Sequence, residues 1–202
     1  MKKILCYGDS NTYGFNPIDG SRLEERWTKV LAEKLKNDFI IQEEGMNNRT
    51  GFVNNPDGFE FTAQRHFPKT IAKNKDTDIL ILAIGTNDLQ FCYDISFKAV
   101  ENGLENLIQT AKNYIKDIIL IPPPVIKECL LNGYFAIQFD ETSISKSKKV
   151  GREYRKLANV YRCKLFDIND FAKPSEEDGL HYNKETHKII GEKLAEFIRK
   201  EF

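Results

Sequence analysis

Residues 4–14 read Ile-Leu-Cys-Tyr-Gly-Asp-Ser-Asn-Thr-Tyr-Gly, an apolar run that stops abruptly at Gly8-Asp9-Ser10. The run predicts a β-strand, and Gly8 and Gly14 allow a sharp turn with a helix starting close beneath it. Because ligands of open α/β sheets bind at the carboxyl ends of the strands, Ser10 is a candidate nucleophile. The same position also suits a serine that only caps the next helix. The rest of the chain decides between these two interpretations.

The first apolar run is one of five that alternate with amphipathic segments along the chain. Several runs are continuously apolar, as in residues 79–84, which is typical of strands covered by helices on both faces. The alternation predicts an α/β fold with a doubly wound parallel sheet, and the flavodoxin-like strand order 2-1-3-4-5 is the preferred topology. The predicted strands span residues 3–7, 39–43, 78–84, 117–121 and 163–167, and the predicted helices span residues 27–37, 59–73, 96–114, 143–161 and 184–200.

The composition is that of a soluble chain whose charges cancel. Its 202 residues fit one domain, residues 1–202, and its 41% hydrophobic content can fill a sizeable core. Thirty basic and thirty acidic side chains balance, so neither nucleic acid nor an anionic membrane is expected as a partner. Without a secretory signal after Met1 or a run of about 18 apolar residues, a cytoplasmic location is expected.

The chain offers no sequence signal for a metal or a nucleotide cofactor. Its four cysteines are scattered, with no paired spacing and no neighbouring histidine cluster, which argues against a zinc site. The loop after the third predicted strand lacks the glycine pattern that cradles phosphates. No metal and no cofactor are therefore expected.

Only three histidines are available to accept a proton from Ser10. His66 and His187 lie inside predicted helices, where a packing or surface role is expected. His181 lies in a glycine-containing loop, with Asp178 three residues earlier. A serine nucleophile needs an imidazole base and an acid that holds the correct tautomer, and Asp178 and His181 can supply both. Alone the pair is a weak signal, because the same spacing arises by chance and in helix caps.

Acyl transfer also requires hydrogen-bond donors aimed at the developing oxyanion. Asn87, in Gly85-Thr86-Asn87-Asp88 after the third strand, can offer its side-chain amide. The backbone N–H of Ser10 and one in the loop of residues 45–50 are further candidates. An Asx-turn that begins the next helix explains Asn87 equally well. In a parallel sheet, however, all these loops gather along one edge.

These blocks, in this order, resemble those of the SGNH (GDSL-type) hydrolases over nearly the whole chain. The resemblance implies a three-layer α/β/α, flavodoxin-like fold and a metal-independent serine esterase that acts on a small-molecule ester. It assigns Ser10 as nucleophile, His181 as general base and Asp178 as the acid that orients it, with Ser10 and Asn87 among the oxyanion donors. Further landmarks similar to its arylesterase and acyltransferase branch are Arg26-Trp27, Glu43-Glu44-Gly45, Arg49-Thr50 and Pro122-Pro123-Pro124.

One position departs from the family's pattern. Aligned through the landmarks of residues 43–45 and 49–50, Asn48 stands where the family usually has a glycine whose N–H points into the oxyanion hole. The backbone donor survives this substitution, and asparagine tolerates left-handed backbone geometry better than most residues. Because its side chain would enter a space that is usually open, either a preference for shorter acyl groups or an altered choice between water and alcohol acceptors is predicted.

Alternatives to a small-ester esterase stay open from the sequence. An acyltransferase, a thioesterase or a carbohydrate deacetylase would use the same residues, and a non-catalytic flavodoxin-like binding module is a further hypothesis. The segment after Pro124 is rich in apolar side chains, so it is interpreted as a substrate wall or lid, as packed core or as a subunit contact in a homo-oligomer.

Overall fold

One five-stranded sheet runs through the computed structural model, which describes all residues from 1 to 202. Its strands are β1 (Lys2–Gly8), β2 (Phe39–Gly45), β3 (Ile79–Ala83), β4 (Asp117–Ile121) and β5 (Lys164–Leu165). They lie in the order β2-β1-β3-β4-β5, and every pairing is parallel. The predicted α/β class and the strand order 2-1-3-4-5 are therefore confirmed. The helices are α1 (Ser10–Tyr13), α2 (Trp27–Leu35), α3 (Ala63–Lys73), α4 (Phe97–Lys112), α5 (Glu141–Tyr161) and α6 (Lys184–Glu201).

Helices cover both faces of the sheet and complete three layers. In β1, Leu5 and Tyr7 pack into the core beneath α3, α4 and α5, whereas Ile4 and Cys6 pack into the core beneath α2 and α6. Because both faces of a central strand are buried, its sequence is continuously apolar rather than alternating. None of the six helices combines the length and the apolar character that a membrane crossing needs.

Side-chain caps set several element boundaries. The predicted start of α6 is confirmed, because Asn183 Oδ1 accepts from Thr186 N–H at 2.9 Å. The helix α3 begins at Ala63 rather than at residue 59, since Thr62 Oγ1 accepts from Asn55 N–H at 2.9 Å and holds the preceding residues in a loop. β5 has two residues rather than five, because Asp167 accepts from Asn169 N–H at 3.1 Å and turns the chain into a short 3₁₀ helix.

The apolar segment after Pro124 forms two 3₁₀ helices, Glu128–Asn132 and Tyr134–Ile137. Leu130 and Phe139 are buried in the core, whereas Tyr134 is 77% exposed. The segment is therefore packed core in part, and its remaining side chains lie at the surface. A contact with a second subunit stays a prediction.

Candidate active site

Gly8, Asp9 and Ser10 form a tight turn at the carboxyl end of β1. A Cβ atom on Gly8 would come within 2.2 Å of the Ala83 carbonyl oxygen, so only glycine fits where β1 and β3 approach. Asp9, not Ser10, caps α1: its Oδ1 accepts from Asn11 N–H at 3.1 Å, whereas Ser10 is the first helical residue. The interpretation of Ser10 as a helix cap is therefore wrong, because Asp9 already satisfies the first turn. The Ser10 hydroxyl is left for another partner.

That partner is His181, whose Nε2 lies 2.8 Å from Ser10 Oγ. On the other side of the ring, His181 Nδ1 lies 2.6 Å from Asp178 Oδ2. An ionised carboxylate can only accept hydrogen bonds, so Asp178 places the ring proton on Nδ1 and leaves Nε2 to accept from Ser10. The exposed fractions of Ser10, His181 and Asp178 are only 4%, 3% and 6%. The three residues, 171 positions apart at the extremes, form one buried hydrogen-bonded chain.

The turn that carries the histidine is held by its own aspartate. Asp178 Oδ1 accepts from Leu180 N–H and His181 N–H, both at 2.9 Å. The carboxylate thus fixes the backbone and the ring of His181 at once. The sequence spacing Asp-x-x-His therefore reflects a local turn, closed by the same side chain that orients the imidazole.

Asn11 is a functional residue that sequence analysis missed. Its Nδ2 donates to the Leu180 carbonyl at 3.3 Å, and its Oδ1 accepts from Tyr182 N–H at 3.2 Å. These two bonds clamp the peptide groups on either side of His181 to the residue next to Ser10. Trp27 Nε1 donates to the Asn11 carbonyl at 3.0 Å and supports the clamp from α2. The sequence shows only an asparagine next to the candidate nucleophile. Asparagine is tolerated at such a position in any helix, so nothing in the sequence predicts its two hydrogen bonds to the backbone around His181.

Three predicted oxyanion donors lie around one cavity of about 200 Å³. Ser10, Asn48 and Asn87 all line this cavity together with His181. Neither Ser10 N–H nor Asn48 N–H donates to any acceptor in the chain. Asn87 Nδ2 donates one hydrogen to the Arg49 carbonyl at 3.0 Å, and its second hydrogen has no protein acceptor. The cavity therefore offers N–H donors without partners, which is what a developing oxyanion requires.

Asn48 adopts left-handed backbone geometry, with φ at 59°. Its carbonyl accepts from Asn55 Nδ2 at 2.7 Å, which holds this conformation against the neighbouring loop. Its side chain is engaged at both polar ends, because Nδ2 donates to Asp57 Oδ2 at 2.6 Å and Oδ1 accepts from Gln90 Nε2 at 3.2 Å. The Asn48 side chain is thus fixed beside the cavity.

Buried charges brace the loops behind the cavity. Arg49 is only 2% exposed and donates to the Gly8 carbonyl at 3.0 Å and the Glu44 carbonyl at 2.6 Å, which ties the ends of β1 and β2 to the loop that carries Asn48. Asp88 is fully buried and accepts from the N–H groups of residues 51, 52 and 53 at 2.6, 2.7 and 2.9 Å. Burial raises the pKa of Asp88 to about 6 despite these bonds.

Aromatic rings form the other wall of the cavity. The ring of Phe15 stands 4.4 Å from the His181 ring, centroid to centroid, and that of Phe135 stands 5.3 Å from it. Of these, Phe135 belongs to the apolar segment for which a substrate wall was one of three interpretations. Phe15, directly after Gly14, carried no periodic signal and was missed. Leu180, Asn47 and Gln138 complete the lining, and none of the residues around the cavity is basic apart from His181.

The other two histidines lie outside the cavity. His66, on α3, has its Nδ1 3.2 Å from Tyr7 Oη. His187 is fully buried in α6, where Nδ1 accepts from Trp27 N–H at 3.2 Å. Burial lowers the pKa of His187 to about 3, so its ring is neutral in the folded chain. No group of three or more histidine, cysteine or acidic side chains is arranged to hold a metal ion.

A known family matches this sequence, and solved structures are similar to this fold. The sequence pattern of the family described as GDSL-like lipase/acylhydrolase matches residues 4–194. The native aryl esterase of M. smegmatis superposes with a TM-score of 0.90 at 26% identity, over 100% of each chain. A carbohydrate acetylesterase family member from Sinorhizobium meliloti superposes with a TM-score of 0.89 at 27% identity, over 99% of this chain and 98% of that one. A lipase/acylhydrolase from Enterococcus faecalis shares the fold, with a TM-score of 0.69 at 18% identity over 99% and 96% of the two chains. No curated protein sequence matches the chain.

Proposed function

The chain belongs to the GDSL-like lipase/acylhydrolase family of SGNH hydrolases, and from this premise we propose that it hydrolyses small carboxylic esters through an acyl-enzyme on Ser10. The observation that carries the proposal is the continuous chain from Ser10 Oγ through His181 to Asp178, with distances of 2.8 and 2.6 Å. These two hydrogen bonds join the Ser10 hydroxyl to an imidazole base in a fixed tautomer, which is the requirement for a serine nucleophile at neutral pH.

In the first half of the reaction, Ser10 Oγ attacks the ester carbonyl carbon and His181 Nε2 takes the hydroxyl proton. The carbonyl π electrons move onto its oxygen, which accepts hydrogen bonds from Ser10 N–H, Asn48 N–H and Asn87 Nδ2. When the tetrahedral intermediate collapses, the ester C–O bond breaks and His181 gives its proton to the leaving alcohol. Asp178 stabilises the transient imidazolium and keeps its orientation.

In the second half, water attacks the acyl group on Ser10 while His181 again accepts the proton. Collapse of the second tetrahedral intermediate releases the carboxylic acid and returns the proton to Ser10 Oγ. An alcohol in place of water would make the same steps a transfer. The Phe15 and Phe135 rings lie beside His181 and exclude part of the solvent. This aromatic wall therefore determines whether water or an alcohol accepts the acyl group.

The cavity favours a neutral substrate of small volume. About 200 Å³ accommodates a short acyl group with part of its alcohol. One wall is aromatic, whereas Asn47, Asn48, Asn87 and Gln138 give the other wall amide groups that suit hydroxyl or carbonyl partners. Since the similar structures include an aryl esterase and a carbohydrate acetylesterase family member, aryl acetates and sugar acetates are the substrate classes that we propose.

The decisive experiment measures hydrolysis of p-nitrophenyl acetate by the wild type, Ser10→Ala and the control Ser145→Ala, an exposed serine of α5. We expect kcat to fall by roughly 10⁴-fold or more in Ser10→Ala and to stay unchanged in the control. Labelling by an organophosphonate should place a stoichiometric adduct on the Ser10 peptide. Equal hydrolysis by wild type and Ser10→Ala would refute the nucleophile assignment. Parallel assays with acetylated sugars, and with methanol as competing acceptor, separate deacetylase and transferase activity.

A further inference from the structure

A chain of side-chain amides runs from the surface to the cavity, outside the serine–histidine–aspartate chain. It begins at Asp57, an exposed carboxylate, to which Asn48 Nδ2 donates at 2.6 Å. Asn48 Oδ1 then accepts from Gln90 Nε2 at 3.2 Å, and the same Gln90 Nε2 lies 3.4 Å from Asn87 Oδ1. Asn87 Nδ2 ends the chain by donating to the Arg49 carbonyl at 3.0 Å.

The donor and acceptor atoms in this series of hydrogen bonds are determined independently from both of its ends. A carboxylate only accepts, so Asp57 requires the nitrogen of Asn48 on its side and leaves the Asn48 oxygen facing Gln90. Gln90 must then present its nitrogen, which in turn requires the oxygen of Asn87 on its side. The Arg49 carbonyl, which also only accepts, independently demands the nitrogen of Asn87 at the far end. The two ends agree, although an amide oxygen and nitrogen are interchangeable in shape alone.

We infer that Gln90 is a positioning residue that orients both side-chain amides at the oxyanion site, so that Asn87 Nδ2 rather than Oδ1 faces the reacting carbonyl oxygen. This inference rests on the proposed esterase function. Gln90 is only 6% exposed, and its Nε2 hydrogens are directed to the two residues that flank the cavity, Asn48 and Asn87. A reversed Asn87 amide would set an oxygen against the developing oxyanion and against the Arg49 carbonyl.

The size of the expected effect follows from how much a single oxyanion donor contributes to kcat. Loss of a single oxyanion donor costs on the order of 10²–10³ in kcat. Removal of Gln90 leaves the Arg49 carbonyl as the remaining constraint on Asn87, so a smaller loss of roughly 10- to 100-fold in kcat is expected. Because the amide orientation matters once the oxyanion forms, KM should stay within about threefold.

The test compares Gln90→Glu with Gln90→Leu in p-nitrophenyl acetate hydrolysis from pH 5 to 8. Above the ordinary glutamate pKa of about 4.3, the carboxylate introduced by Gln90→Glu can only accept and opposes both amide oxygens. Near pH 5 a growing fraction is protonated and donates one bond again. We therefore expect the kcat of Gln90→Glu, divided by the wild-type kcat at each pH, to rise by about two- to twentyfold from pH 8 to pH 5. Gln90→Leu introduces no titrating group and should keep a constant ratio.

A second readout follows the oxyanion site directly. A phenylboronic acid adduct on Ser10 mimics the tetrahedral intermediate, so its affinity should fall by the same factor as kcat in both variants. Should Gln90→Glu fail to fold, Asp57→Ala replaces it, because Asp57 is exposed and its loss removes only the anchor of the amide chain. We expect kcat and boronate affinity to fall together in Asp57→Ala by roughly three- to tenfold.

The outcomes separate this inference from the function on which it rests. Ester hydrolysis by the wild type that Ser10→Ala abolishes establishes the function. If the folded Gln90 variants then keep wild-type kcat, lose kcat without losing boronate affinity, or show the same pH-independent ratio, the positioning role of Gln90 is refuted and the function stands. If the wild type hydrolyses no ester, the function itself fails.

Discussion

Replacing His187 by glutamine should make the folded chain markedly less sensitive to acid. His187 is fully buried in α6, its Nδ1 accepts from Trp27 N–H, and its Nε2 has no partner. Protonation would place a charge in the core and would turn the acceptor of Trp27 into a donor. Burial accordingly lowers the pKa of His187 to about 3. Glutamine can keep the acceptor through Oε1 and does not titrate.

The magnitude follows from proton linkage. Between the ordinary histidine pKa of about 6.5 and the folded value of about 3, the unfolded chain binds a proton that the folded chain does not. The neutral His187 ring therefore makes its full contribution to the free energy of unfolding above pH 6.5, and this contribution is lost as pH falls towards 3. At pH 4.5, about two pH units below the unfolded pKa, the loss is on the order of 3 kcal/mol. That is a large part of the ~5–15 kcal/mol by which domains are stable.

The assay is urea unfolding followed by circular dichroism at pH 7.0 and pH 4.5, at equal ionic strength. From pH 7.0 to 4.5, wild type should lose on the order of 3 kcal/mol more unfolding free energy than His187→Gln. Other titrating groups are common to both proteins and cancel in this difference. The matched control is His66→Gln, since His66 is half-buried and its pKa is lowered less by burial. Equal pH-dependent losses in wild type and His187→Gln would refute the reasoning.

Three further outcomes are expected. Asn11→Leu removes both bonds to the peptides that flank His181, so kcat for p-nitrophenyl acetate should fall by roughly 10- to 100-fold with little change in KM, and an unchanged kcat would show that the clamp is dispensable. Asp88→Asn removes a carboxyl whose pKa is raised to about 6 in the folded chain. Between about pH 3.8 and pH 6 the folded chain holds a proton that the unfolded chain has released. The contribution of Asp88 to the free energy of unfolding of the wild type therefore falls as pH rises through this window. Relative to wild type, the variant should gain roughly 2 kcal/mol of unfolding free energy between pH 4 and pH 7, and parallel pH curves would contradict this. Asn48→Gly should raise the butyryl and hexanoyl ester rates relative to acetyl even if overall kcat falls, and an unchanged chain-length profile would count against crowding by Asn48.

The sequence predicted those site residues whose chemistry depends on strand ends. Ser10 and Asn87 lie two and four residues after the ends of β1 and β3, and parallel register brings these ends to one edge, so knowing the strands was enough to place them together. His181 was predicted for a more local reason, since its spacing from Asp178 closes a turn. In each case the residues next to the site residue in the sequence are enough to predict where its side chain lies.

The residues that were missed depend on side chains meeting across loops. Phe15 and Phe135 are far apart in the sequence, and nothing in either local stretch indicates that both rings stand against His181. Gln90 directly follows the short 3₁₀ helix of residues 87–89, where a glutamine would be equally natural at an exposed surface. Asp9 and Ser10 are both good helix caps, so only the backbone geometry distinguishes the cap from the nucleophile.

The use of amides rather than cations at the proposed oxyanion site has a consequence for turnover. The proposed ester hydrolysis would release a carboxylate, which is an anion, into the same cavity that stabilises the transient oxyanion. A lysine or arginine there would attract both, and binding the product as tightly as the transition state lowers the benefit to kcat. Oriented N–H groups favour an oxygen at the one position reached in the tetrahedral intermediate, and they carry no net charge to hold the free acid. Among the proposed donors, only the Asn87 side-chain amide can present either an oxygen or a nitrogen. The hydrogen bonds that link Asp57, Asn48, Gln90 and Asn87 thus supply an oriented donor without adding a positive charge.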